Sequence, residues 1–135
     1  MIKESFKAIY SQPLLLINST VEGILGLWMI IAPSSIQTLG SVEIPLALIQ
    51  TCGLLALSVA AFSKLGAIYI YKSKDPRTVK LLVYSSLAIF HSALTIGLVY
   101  AAILGDINYL GAIIHLPLAV AFIVSSLTLN KSSVK

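Results

Sequence analysis

The groups in this chain best equipped for chemistry lie inside otherwise apolar segments. They are Glu22, Lys64, His91 and His115, with Asn18, Gln50 and Tyr84 as neutral polar companions. Ionisable side chains in hydrocarbon are costly and mark functional positions or paired groups. A helical rise of ~1.5 Å per residue converts their sequence positions into depths. Glu22 falls ~13 Å from the inner end of the first apolar segment, and Lys64 ~12 Å from the inner end of the second. A carboxylate and an ammonium at matched depth can pair, with Asn18 one turn away. The alternative has Lys64 snorkelling to the surface and Glu22 protonated or hydrogen-bonded inside a bundle.

The two imidazoles are also level. His91 lies ~10 Å from the outer surface of a ~30 Å core, and His115 ~12 Å from the outer end of the last segment. Gln50, ~9 Å from the outer end of the second segment, joins them. Three uses are open for the histidines. They can hydrogen-bond one another across helices, hydrogen-bond a quinone or other lipophilic head group, or ligate a haem b iron axially. A tetrahedral metal site is not expected, because two histidines, a distant glutamate and a distant Cys52 make a poor donor set. Helical periodicity groups Gln50, Leu57 and Lys64 on one face, Tyr84, His91 and Thr95 on a second, and Asn108, Gly111, His115 and Ala119 on a third. One polar seam down a bundle axis would accommodate all three.

The elements that must position these groups are membrane spans. The 135 residues are 58% apolar and only 10% charged, with a mean hydropathy of +0.97. Soluble domains carry about a quarter charged residues, so a soluble monomer is excluded. Four spans are expected, at about 13–31, 44–71, 79–104 and 107–129, forming a single transmembrane domain over 1–135. Pro13 suits a first helical turn and Pro33 a termination. A polar turn follows over Pro33–Glu43. Lys72–Thr78 forms a charged hairpin and Gly105-Asp106 a tight turn, and Pro117 should kink the last span. The runs are too long for strands and lack period-two alternation, which excludes a barrel. Gly23, Gly26, Gly53, Ala60, Gly111 and Ala119 offer surfaces for close helix approach.

All nine basic residues fall at one end of the spans: Lys3 and Lys7, then Lys64, Lys72, Lys74, Arg77 and Lys80, then Lys131 and Lys135. The opposite loops carry only Glu43 and Asp106. The positive-inside rule then predicts an all-α, up-down-up-down four-helix bundle with both termini cytoplasmic, in a plasma (inner) membrane. The net charge of +4 therefore reports topology and an anionic leaflet, with no nucleic-acid partner implied. A lone Cys52 excludes an intramolecular disulfide and a paired-thiol relay. No cleavable signal peptide is expected, since the first apolar run is long and contains Asn18 and Glu22. Motifs of serine hydrolases, zinc proteases and phosphate-binding loops are missing. Without an internal repeat or an unwound Gly/Pro pair, a carrier is disfavoured.

The stretch Glu22-Gly23-Ile24-Leu25-Gly26-Leu27-Trp28 ending at Pro33, the run Gly53-Leu54-Leu55-Ala56-Leu57, the hairpin Asp75-Pro76-Arg77 and His91 together resemble the DoxX-like group of small four-helix membrane proteins. The resemblance implies a helical bundle. It also implies a role in quinone-coupled oxidation or beside redox partners, without supplying catalytic residues. The expectation is an accessory protein, more a binder than an enzyme. Gln50, His91, His115, Glu22, Lys64, Asn18 and Tyr84 would contact a quinone- or isoprenoid-like ligand or a partner. The alternatives are a structural subunit of a membrane complex or homo-oligomer, joined through its small-residue faces, and a quinone- or lipid-linked enzyme with Glu22 or a histidine as proton carrier.

Overall fold

The computed structural model describes residues 10–40 and 44–131, with the side chain of Lys131 excepted. Five helices occupy these residues: α1 (Pro13–Ile31), α2 (Pro33–Gly40), α3 (Leu46–Lys72), α4 (Pro76–Ile103) and α5 (Leu110–Lys131). All but α2 are long and apolar enough to cross a membrane, so the chain is an integral, multi-pass, all-helical protein. Lys3, Lys7, Glu43 and Lys135, which carry part of the charge asymmetry, lie outside the described residues.

Local chemistry sets each boundary. Pro13 opens α1 at its first position, where a missing N–H costs nothing. Ala32 ends it in an extended conformation, its N–H bonding the Trp28 carbonyl at 2.9 Å. The expected polar turn after Pro33 is corrected: residues Pro33–Gly40 form a helix. The same proline that stops α1 is well placed to start α2, and Trp28 Nε1 donates to Ser35 Oγ at 2.7 Å across the junction. Pro76 likewise opens α4, three residues earlier than expected, because Asp75 serves as N-cap and accepts the Thr78 N–H at 3.1 Å. Gly105, at φ +83°, closes α4. Its N–H bonds the Ala102 carbonyl and that of Asp106 bonds the Ala101 carbonyl, the paired bonds of a Schellman motif. Asn108 Oδ1 then accepts the Leu110 N–H at 3.1 Å, so α5 begins at Leu110 rather than at 107. It remains one helix through Pro117.

The chain divides into two compact units, Met1–Ile68 and Tyr69–Lys135. In the first, α1 and α3 run antiparallel. Gln50 Nε2 lies 3.3 Å from the Ile30 carbonyl and Asn18 Nδ2 2.8 Å from Ser63 Oγ, so partners descend one helix as they climb the other. Between these contacts the backbones meet at Gly26 and Gly53. A Cβ on Gly26 would lie 2.7 Å from the Gly53 carbonyl oxygen, and one on Gly53 2.8 Å from that of Gly26. In the second unit α4 and α5 are antiparallel with a regular step. Arg77 meets Leu129, Tyr84 meets Phe122 and His91 meets His115, seven residues apart on both helices. Leu98 then covers Gly111.

The interior mixes apolar residues such as Leu15, Leu87 and Phe122 with buried Asn18, Ser19, Glu22, Ser63, His91, Thr95 and His115, while many other large aliphatic residues face outward. Ile89 and Ile96, on either side of fully buried His91, are 71% and 69% exposed. Such faces are stable against lipid and costly against water.

Two outcomes follow. Gly26→Ala forces its methyl against a backbone oxygen and should cost about 1–3 kcal/mol, the range for overpacking. Gly23→Ala, whose Cβ would stand 3.9 Å from that of Ala60, should be tolerated. Unfolding in mixed micelles compares the two, and equal stability of both variants contradicts the close approach. Hydrogen bonding from the Thr78 side chain and backbone N–H holds the Asp75 carboxyl below its ordinary value of 3.8. Its capping contribution is therefore complete above that value and fades as pH falls through the lowered one. Asp75→Ala should melt lower than the parent at pH 6, with the gap closing below pH 3.8.

Candidate intramembrane polar site

The second unit holds the more ordered polar cluster. The seven-residue step of α4 and α5 brings His91 and His115 together, their Nδ1 atoms 3.1 Å apart. A hydrogen bond at that distance needs one proton between the two nitrogens. One Nδ1 therefore carries hydrogen and donates, and the other is bare and accepts. The pair is thus a matched donor and acceptor, and two like tautomers would not support it. Aromatic rings fix His91. Phe122 stacks on His91 with centroids 5.7 Å apart and planes 3° from parallel, and Phe90 meets it edge-on at 5.1 Å. Tyr84, one step down α4, packs edge-on to Phe122 at 5.5 Å, with Lys80 Nζ 5.2 Å above its own ring. Thr95, one turn beyond His91, is buried, and no described residue engages its Oγ1.

This geometry does not fit axial haem ligation. Two imidazoles on opposite faces of an iron need about 4 Å between their nitrogens, twice a metal–nitrogen bond of about 2.0–2.1 Å, with a macrocycle between the rings. His91 and His115 instead share a direct hydrogen bond, with centroids 5.3 Å apart. The haem expectation is therefore not carried forward.

The first unit holds a second polar set. Leu15, Asn18, Ser19, Glu22 and Gly26 form the buried stripe of α1. Asn18 Nδ2 donates to Ser63 Oγ, which donates in turn to the Val59 carbonyl at 3.0 Å. Asn18 Oδ1 and Ser19 Oγ are buried without a hydrogen-bond partner among the described residues. Glu22 is 1% exposed.

The expected face of Gln50, Leu57 and Lys64 is corrected. Gln50 and Lys64 are exposed, and Ser63 takes the inward position of α3. Lys64 is exposed and Glu22 is buried, so the two do not share an environment. Gln50 lies near a helix end and spans to the Ile30 carbonyl at the end of α1. Asn108 is likewise exposed, in the turn before α5. Asn18, Glu22, Tyr84, His91 and His115 are all buried, as expected of functional or bridging groups. Sequence reasoning overlooked Ser19, Ser63 and Phe122. Ser19 adjoins Asn18 on the same stripe, and Phe122 lies seven residues after His115 on the face already singled out, so both signals were present. No family model matches this chain, and no curated protein or solved structure matches it.

Removing one histidine takes away the hydrogen bond to the other's Nδ1, and a lost buried hydrogen bond costs about 1–3 kcal/mol. His91→Phe and His115→Phe should each destabilise in this range. The double variant should lose less than the sum, with coupling of about 0.6–1.7 kcal/mol, as measured for hydrogen bonds between membrane helices. A double-mutant cycle of unfolding free energies in bicelles measures it, and strict additivity would show that the imidazoles do not interact.

Proposed function

We propose that this protein binds a lipophilic molecule with a hydrogen-bonding head group, quinone- or isoprenoid-like, and serves as an accessory rather than a catalyst. One observation carries the reading. Buried oxygens of Asn18, Ser19 and Thr95 retain hydrogen-bonding capacity that no described residue uses. Each open polar atom in an apolar interior costs about 1–3 kcal/mol. A head group with a donor or acceptor would recover that cost, while its hydrocarbon tail would be at home among spans. In the first unit the contact candidates are Asn18, Ser19 and Glu22; in the second, taken by itself, they are Tyr84, His91, Thr95 and His115. Gln50 and Lys64, being exposed, take the lesser role of surface groups.

The proposed setting is an up-down-up-down bundle with both termini cytoplasmic, in a plasma (inner) membrane. The side-by-side asymmetry of basic residues supports it: Lys72, Lys74, Arg77 and Lys80 at the α3–α4 turn, against Asp106 at the α4–α5 turn. The resemblance to the DoxX-like group points to the same lipophilic, quinone-related chemistry. The subunit alternative has lost some of the surface assigned to it, since Gly26 and Gly111 are already covered by Gly53 and Leu98 within their own units.

The test is extraction of gently purified protein with mass spectrometry and optical spectra. A quinone or isoprenoid should co-purify near one per chain, and Asn18→Leu with Ser19→Ala should reduce it severalfold while helix content persists. Purified protein carrying no lipophilic molecule beyond bulk lipid would overturn the proposal.

A further inference from the structure

We infer that the α3–α4 turn is a docking surface for an anionic phospholipid head group, with Lys72 and Lys74 as the contacting cations. Residues 72–80 contain Lys72, Lys74, Arg77 and Lys80 against a single carboxylate, Asp75. That carboxylate is committed to the Thr78 N–H as the cap of α4. Two of the cations are held by the protein itself. Arg77 donates to the Leu129 carbonyl at 2.7 Å, near the end of α5, and Lys80 lies over the Tyr84 ring. Lys72 and Lys74 are exposed.

An independent feature places this turn at head-group level. Tyr69 and Tyr71, in the turn of α3 just before the cluster, are 66% and 49% exposed. Outward tyrosines near the end of a span lodge at the bilayer interface, hydroxyl toward the head groups. The cations beside them are thereby held among lipid phosphates. A phosphate with a choline partner is neutral overall, whereas phosphatidylglycerol keeps a net negative charge, so charge complementarity selects the anionic lipid.

The opposite end of the same unit supplies a built-in comparison. Tyr100 and Tyr109 are 65% and 50% exposed around the α4–α5 turn, yet the one charge there is Asp106. It carries the same aromatic marking with the opposite sign, and so no preference for anionic lipid.

The experiment uses the full chain in nanodiscs of mixed phosphatidylglycerol and phosphatidylcholine, with retained lipids counted by native mass spectrometry. Phosphatidylglycerol should be enriched over its bulk fraction. Membrane-surface cations contribute about a fivefold preference each, so Lys72→Gln with Lys74→Gln should lower the enrichment by up to about thirtyfold. Lys72→Arg with Lys74→Arg should preserve it, and Asp106→Asn should leave it unchanged. Equal retention of the two lipids by the parent, or full enrichment in the double glutamine variant, would overturn the inference. The result is independent of whether a quinone or isoprenoid co-purifies, because it requires only that this turn meet a bilayer surface.

Discussion

A polar side chain in hydrocarbon has no water to turn to, and the arrangement of both units follows from that constraint. In the second unit it is met at the two imidazoles by one hydrogen bond, His91 to His115 at 3.1 Å. That bond fixes the phase of two helices. With His91 opposite His115, seven-residue steps put Tyr84 opposite Phe122 and Arg77 opposite Leu129. Phe90 and Phe122 pack against His91, and the arginine draws a positive charge to the carbonyl end of α5, where a helix dipole favours it. The α4–α5 turn reinforces the same pairing, since Gly105 reverses the chain with its carbonyls satisfied.

The first unit meets the constraint differently. Among the described residues, no pair of aromatic rings bridges α1 and α3. Gly26 and Gly53 bring the backbones together, and dispersion between close-packed main chains does what ring packing does in the second unit. Asn18 and Ser63 add a polar link toward one end, finished by the Val59 carbonyl. Satisfaction is incomplete here, as it is at Thr95 Oγ1 in the second unit. Asn18 Oδ1 and Ser19 Oγ stay open among the described residues, on the stripe that also buries Glu22. The units therefore differ in what joins their helices, an imidazole hydrogen bond in one and a glycine backbone contact in the other, while each keeps buried oxygens open among the described residues.

Much of the fold was legible because its determinants are local. Pro13, Pro33 and Pro76, the capping Asp75 and Gly105 mark helix ends, whereas Pro117 lies within α5, and α1 matches its expected limits of Pro13 and Ile31. Depth arithmetic also placed His91 level with His115, because it needs only a span end and a rise per residue. Periodicity proved weaker at deciding which way a face turns. It correctly put Gln50 and Lys64 on one face, but that face is exposed. A seven-residue repeat states that residues lie together, not whether lipid or protein receives them, and a long amphiphilic lysine can reach the surface from within a span. The helix Pro33–Gly40 was missed for a related reason: polar residues with a leading proline describe a turn and a first helical turn equally well.

The account depends most on the imidazole hydrogen bond, and the chain is well suited to a direct look at it, since it contains just two histidines. Solid-state NMR of protein labelled with ¹⁵N-histidine in lipid bilayers would resolve the four ring nitrogens. One Nδ1 should be protonated and the other bare, with a through-bond coupling between them across the N–H···N bridge. Two identical tautomers, or two bare Nδ1 atoms without coupling, would contradict the pairing that sets the phase of α4 against α5.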